Sequence, residues 1–362
     1  MRILRIIGLC GWAALFAACT APRVKHPEVE TPIARKRFAQ RLSRVHWQQL
    51  EGWQEDTLIN VATALHENCL RVKQRSVWQR ICTAAKELDT LDSVSTRAFF
   101  ERHFTPFRLS NPDGTVEGLI TGYYEPLVRG ARVRRAPYVY PLYRWPPGMA
   151  RGTALPARAA LLRGTLLKGA ELVYLDDPVE AFFLQVQGSG RIMMEDGSVM
   201  RVGFDGSNGH PYRSIGRWLI EQGELTHGQV TMQGIKAWGR ARPQRIDELL
   251  NMNPRFIFFK EMPASEHAAA DGPTGALGAR LTAGRSIAVD PAAVPLGLPV
   301  FLSTRHPLSS APLNRLVFAQ DTGSAIKGAV RADYFWGSGD EAGRRAGRMS
   351  APGRMWVLLP RE

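Results

Sequence analysis

Cysteine is scarce in this chain: only Cys10, Cys19, Cys69 and Cys82 occur in 362 residues. The eight histidines are scattered with no two at metal-ligand spacing, and the cysteines form no close pair, so neither a metal nor any other cofactor is expected. No Gly-x-Ser-x-Gly elbow is present. Gly323-Ser-Ala-Ile-Lys-Gly328 lacks the Gly-Lys-Ser/Thr ending that meets phosphate and magnesium. No internal repeat or sustained low-complexity tract stands out. Acidic residues are in deficit, 33 against 47 Lys and Arg, for a formal charge of +14. Such an excess favours polyanions: nucleic acid, anionic lipid headgroups or acidic cell-wall polymers.

The N-terminus narrows that choice. Met1-Arg-Ile-Leu-Arg5 is basic, and the apolar run Ile6 to Ala18 that follows has 13 residues. A membrane-spanning helix needs about 20, so the run fits the apolar part of an export signal. Ala17 and Ala18 before Cys19 look like a bacterial lipobox, although Phe16 stands where Leu is usual. An ordinary cleaved signal and an uncleaved anchor are the alternatives. Lipidation of Cys19 would give a tether over 19–36 carrying Pro22, Pro27 and Pro32. Thr20 after the cysteine points to the periplasmic face of the outer membrane. Export also argues against nucleic acid as a partner. It leaves Cys69 and Cys82 in an oxidising compartment, where they are either a disulfide, worth about 3 kcal/mol by loop entropy, or two buried thiols.

From Phe38 to about Phe104 apolar residues recur at helical spacing: Leu50, Trp53, Leu58, Val61 and Leu65, then Trp78, Ile81, Ala84 and Leu88. Asp92-Ser-Val-Ser95 opens another short helix, with Ser93 or Ser95 as its cap. After Pro112-Asp-Gly114 the texture changes to short runs between turn signals: 119–124, 138–143, 182–186, 191–195, 199–204 and 256–259. Asp196-Gly197 reads as a hairpin turn. Helices interrupt near Ser214–Gln222 and Gly228–Trp238, the second starting after Thr226, and 271–285 reads as a loop. The pattern gives an α+β or mainly β fold with an N-terminal helical segment.

Three carboxylates stand out on short apolar strands flanked by Gly or Pro. Asp290 lies in Ser286-Ile-Ala-Val-Asp290-Pro, and Asp321 and Asp333 bound Asp321-Thr-Gly-Ser-Ala-Ile-Lys-Gly-Ala-Val-Arg-Ala-Asp333. A core-facing strand excludes Asp unless it is paired or reaches a cleft, so the three suggest an acid/base site. This region resembles the three-aspartate domain of the membrane-bound lytic murein transglycosylase A family. Gly122-Tyr-Tyr-Glu-Pro126, Phe182-Phe-Leu-Gln-Val-Gln-Gly-Ser-Gly-Arg191, Asn208-Gly-His-Pro-Tyr212 and Asn253-Pro-Arg-Phe-Ile-Phe-Phe-Lys-Glu261 resemble further blocks of that family. The resemblance implies a double-psi β-barrel with a second β-barrel domain inserted into it, the two separated by a groove. The expected boundaries are a signal over 1–18, the lipidated tether over 19–36, an N-terminal helical part over 37–115, the insert over 116–252, and the rest of the barrel over 253–362.

The family cleaves peptidoglycan glycan strands without water, leaving 1,6-anhydromuramyl ends. One carboxyl protonates the leaving oxygen and then takes the proton of the C6 hydroxyl that attacks C1. Asp333, between Val330 and Tyr334-Phe335, has surroundings that desolvate a carboxyl and matches the family's proposed catalytic aspartate. Asp321 and Asp290 are expected to orient it or to brace strands and turns. Gln185, Gln187 and Ser189 alternate along a strand-like run and suit a glycan-facing wall. Tyr123, Tyr124 and Glu125 are second candidates; alternation puts one tyrosine in the core, and an arginine can take Glu125. Lys327 is expected either to meet a lactyl or peptide carboxylate or to be a solvated turn residue, and His210 to pack in a turn. The rival readings are a hydrolase on the same fold and a noncatalytic cell-wall-binding scaffold, with cell-wall synthesis proteins as partners.

Overall fold

The computed structural model describes residues 38–88, 92–263 and 272–361. The expected signal, the tether and Cys19 lie outside them. The chain opens with β1 (Leu42–Arg44) and a helical segment of α1 (Val61–Val72), α2 (Ser76–Ala84) and α3 (Ser93–His103). A disulfide joins Cys69 of α1 to Cys82 of α2. The cap of α3 is Asp92, not Ser93 or Ser95: its carboxylate accepts from the amides of Val94 at 2.9 Å and Ser95 at 3.1 Å. β2 (Phe104–Leu109) pairs back with β1, and β3 (Gly118–Glu125) follows.

Next come β4 (Leu127–Ala131), β5 (Tyr140–Tyr143), α4 (Arg158–Arg163), β6 (Glu171–Leu175) and α5 (Pro178–Gln187). The hairpin of β7 (Ser189–Met194) and β8 (Val199–Ser207) turns at Asp196-Gly197, as the sequence predicts. Helices α6 (Ile215–Glu221), α7 (Met232–Ala241) and α8 (Ile246–Asn251) precede β9 (Ile257–Glu261). Thr231 caps α7, so this helix starts later than Thr226 suggests. The chain ends with β10 (Ser286–Val289), β11 (Pro299–Arg305), β12 (Pro312–Thr322), β13 (Ala332–Ser338), α9 (Gly339–Arg348) and β14 (Ser350–Pro360).

The run 182–186 is helical, not a strand. Local signals at both ends of α5 decide this: Asp177 caps the amides of Val179 and Glu180, Pro178 is preset at the first turn, and Gly188 leaves the last turn with φ +79°. Two aromatics and a β-branched residue raise strand propensity over that run but are outweighed by these signals and by packing on α6, α7 and α8.

Strands β14-β11-β12-β10-β13-β3 form one sheet, and a further pairing of β3 with β14 closes it into a six-stranded barrel. Its interior merges with the buried faces of α1, α2 and α3 into one core. β10, buried at every residue, runs parallel to β12 and antiparallel to β13. The other sheet, β5-β6-β4-β7-β8-β9, has its own core. Its edges meet through aromatic packing, Tyr143 on Phe256 at 5.9 Å and Trp145 on Phe258 at 5.2 Å. Two strands sit differently from the expected boundaries: β3 belongs to the barrel, and β9 belongs to the second sheet.

Asp56 binds the N-terminal segment to the barrel. It is buried and accepts from Arg285 at 2.7 and 2.8 Å, from the Leu316 amide at 2.7 Å and from the Leu58 amide at 3.1 Å. Burial alone would raise its pKa, but Arg285 and the two amides outweigh that, and the carboxyl stays below its ordinary value. A lowered folded pKa contributes stability above the unfolded carboxylate value, and that contribution is lost as pH falls through the folded one. Asp56→Asn leaves Arg285 buried and unpaired, and is expected to cost about 3–5 kcal/mol in urea unfolding at neutral pH. A loss below about 1 kcal/mol would contradict this role.

Candidate active site

Strand register builds the site. Ala288 of β10 pairs with Asp321 of β12 on one side and Asp333 of β13 on the other, and Asp333 pairs with Thr121 of β3. Asp321, Ala288, Asp333 and Thr121 therefore form one row across four strands. With strands about 4.8 Å apart, the two aspartate backbones stand roughly 10 Å from each other. The small Ala288 between them leaves the row open toward the cleft. A register irregularity between Ile287 and Ala288 sets Asp321, not Gln320, opposite Ala288. One residue of slip exchanges the two faces of a strand. Gln320 accordingly turns inward, fully buried, donating to the Ala64 carbonyl and accepting from Ser286.

The Thr121 hydroxyl donates to Asp333 Oδ1 at 2.7 Å. Burial raises the Asp333 carboxyl to about 6; the Thr121 bond and the nearby Arg331 charge pull it down, while Asp321 pushes it up. Burial also raises Asp321, opposed by the amides of Thr322 and Ala276, the latter at 3.0 Å. Beside both carboxyls lies the Tyr123 hydroxyl, buried and without a hydrogen bond of ordinary geometry, its ring 5.2 Å from Phe335. Burial and the two aspartate charges raise its pKa strongly. A carboxyl that keeps part of its proton toward neutrality, with one oxygen fixed by a hydroxyl, is equipped to give and retrieve a proton.

A cleft of about 740 Å³ opens over this row, walled by the barrel on one side and the insert on the other. Asp333, Asp321, Tyr123, Gln185, Gln187, Ser189 and Lys327 all line it. Its size accommodates a ligand of several rings. Asp290 is not among the lining residues: its carboxylate accepts from the amides of Ala292 at 3.1 Å and Gly328 at 2.9 Å, joining two turns, with Lys327 at 4.0 Å. Lys327 itself is exposed.

One sequence expectation needs correction here, and two stated alternatives are decided. Gln185 and Gln187 do not share a strand face, because both are on α5. Buried Gln185 accepts from Arg158 at 2.6 Å, and Gln187 accepts from the Tyr124 amide at 3.1 Å. Tyr124 is the tyrosine that faces away from the cleft, packed on Ala342 and Ala346 of α9. Glu125 is 0 % exposed and committed to protein partners, Arg191 at 2.8 Å, Arg201 at 2.9 Å and the Ser338 hydroxyl at 3.0 Å. It ties both strands of the β7–β8 hairpin to the barrel. His210 bonds the Leu155 carbonyl at 3.1 Å, as a packing residue does.

Sequence reasoning overlooked Thr121, Arg158 and Arg255. Thr121 was accessible in principle, since Thr121, Tyr123 and Glu125 share one face of β3 by alternation. For the two arginines no sequence signal exists.

Comparisons with known proteins show which family the chain resembles. The MltA specific insert domain matches residues 119–260, and the 3D domain matches 285–359. The membrane-bound lytic murein transglycosylase A of Escherichia coli K12 is 38% identical over 245 residues, 66% of this chain and 64% of that protein. The match thus spans just under two thirds of that relative's length. Among solved structures, the lytic transglycosylase LtgG of Burkholderia pseudomallei is 62% identical with a TM-score of 0.67, covering 89% of this chain and 96% of that one. The E. coli MltA structure with bound chitohexaose is 30% identical with a TM-score of 0.69, covering 84% of this chain and 91% of that one. By these matches the chain belongs to the membrane-bound lytic murein transglycosylase A family.

Proposed function

We propose that this protein cleaves the MurNAc–GlcNAc β-1,4 bond of peptidoglycan without water, with Asp333 as the single acid and base. The observation that carries this reading is a carboxyl raised to about 6, held by Thr121, in a cleft large enough for a glycan. Protonated Asp333 gives its proton to the bridging oxygen as the C1–O bond breaks and positive charge develops on the muramyl ring. The C6 hydroxyl of that ring then attacks C1 and yields its proton to the Asp333 carboxylate. This closes the 1,6-anhydro ring and restores the acid. Asp321, fixed by the Ala276 amide, keeps negative charge near the developing cation and helps hold the Asp333 proton.

A lipid anchor at Cys19, holding the enzyme at the periplasmic face of the outer membrane, completes the proposal. The basic start, the short apolar run and the membrane-bound names of the relatives support it. Among the described residues no helix is long and apolar enough to cross a membrane. Cys19→Ser is expected to move the protein from the membrane to the soluble fraction; an unchanged membrane fraction would argue against lipidation.

Mass spectrometry of digested sacculi is expected to show muropeptides one water lighter than hydrolytic products. Asp333→Asn should lower their rate by about 10²–10⁴-fold with the fold retained. Products carrying the added water would favour the hydrolase, and near-normal turnover of the variant would remove Asp333 from its role. Because the acid must start protonated, kcat/KM should be level below about pH 6 and fall about tenfold per unit above it. Thr121→Val removes a bond that stabilises the carboxylate, so this falling limb should move to higher pH. A limb that stays in place would show that Thr121 does not tune Asp333.

A further inference from the structure

The two walls of the cleft differ in charge: the barrel wall carries two carboxyls with the exposed Lys327 beside them, and the insert wall carries cations. Asp321 and Asp333 stand on the barrel wall, and Arg158, Arg255 and Lys260 line the insert wall. None of these three cations has a carboxylate partner among the described residues. Arg158 is the unusual one, because its side chain is 4 % exposed. Its guanidinium lies between the rings of Phe182 at 4.9 Å and Phe256 at 5.0 Å. Nε donates to the Asn253 carbonyl at 3.2 Å, and Nη2 donates to Gln185 at 2.6 Å and to the Arg255 carbonyl at 2.8 Å. No acceptor is found for Nη1 among the described residues.

A buried charge without a counter-ion is costly, and cation–π contact with two rings offsets only part of it. Burial lowers the pKa of Arg158 to about 9 and that of Arg255 as well, so both sites penalise charge in the empty cleft. Arg255 uses Nη1 on the His210 carbonyl at 2.9 Å and is otherwise turned to the cleft. A purely structural Arg158 would fasten the 253–255 backbone to α4 and α5, and would leave Nη1 and the neighbouring Arg255 unexplained. An anion entering here completes both guanidinium groups, which bind carboxylates through paired donors.

We infer that this part of the cleft is a carboxylate subsite, taking an acidic substituent of the glycan at Arg158 and Arg255. The inference rests on the glycan reading of the cleft and adds orientation to it. A strand that carries acidic groups enters with those groups toward the insert wall, away from Asp333. The acid comes either from the lactyl group of a bare muramyl ring or from the attached peptide.

Calorimetric binding to full-length Asp333→Asn, in which turnover is suppressed, tests this. The probes are chitohexaose, a bare alternating GlcNAc–MurNAc oligosaccharide, its lactyl methyl ester, and the same glycan bearing peptides. The expected result is about tenfold tighter binding of an acidic glycan than of chitohexaose, as a charge-assisted bond provides. Added Arg255→Gln should erase that advantage. A gain with the bare glycan that is lost on esterification assigns the lactyl carboxylate; a gain only with peptides assigns the stem. Equal binding of acidic and neutral probes would overturn the inference, even if the arginine variant did not fold. Equal weakening of all probes by Arg255→Gln would overturn it too. Product analysis of the parent enzyme separately decides the catalytic reading, so the two failures are distinguishable.

Discussion

The parallel pairing of β3 with β13 is the constraint on which the site depends. β3 leaves the N-terminal part of the chain, closes the barrel between β13 and β14, and then passes directly into the insert. Its alternation gives one face to the site: Thr121 on Asp333, Tyr123 beside both aspartates, and Glu125 locked between Arg191 and Arg201. The opposite face supplies Ile120 to the barrel core and Tyr124 to α9. One strand thus closes the barrel, holds the Asp333 carboxyl and anchors the second wall of the cleft. A slip of one residue would undo all three together.

The cleft's second wall is as constrained as its first. Glu125 is buried with two arginines from the β7–β8 hairpin and a hydroxyl from β13, an ion cluster that sacrifices solvation for a fixed geometry. Gln187 adds a bond from the end of α5 to the Tyr124 amide. Any ligand of the cleft therefore meets two walls whose spacing is set by internal contacts of the protein. The barrel wall supplies the raised carboxyl and the insert wall supplies donors and cations, a division that suits the glycan proposed above.

Much of this was legible in the sequence. Short apolar strands bearing Asp, an N-terminal helical stretch and the Asp196-Gly197 hairpin all follow from local pattern. The setting of Asp333 beside Tyr334 and Phe335 already suggested desolvation. What local pattern could not supply was tertiary in origin. The register slip at Ile287 and Ala288 decides that Asp321 reaches the cleft and Gln320 the core, yet both residues look equally placed in the sequence. The 182–186 run has the composition of a strand and folds as a helix because Asp177-Pro178 and Gly188 punctuate it. Arg158 and Arg255 are 97 residues apart, and only folding brings them to one end of the cleft.

Single-aspartate cleavage rests on an Asp333 carboxyl that stays protonated well above the ordinary range for a carboxylic acid. Its titration can be followed directly by carbon-13 NMR of labelled aspartate, assigned through the Asp333→Asn spectrum. The expected midpoint of that resonance is about 6. A midpoint near 4, where a solvated aspartate titrates, would mean that the cleft does not hold the proton the chemistry needs.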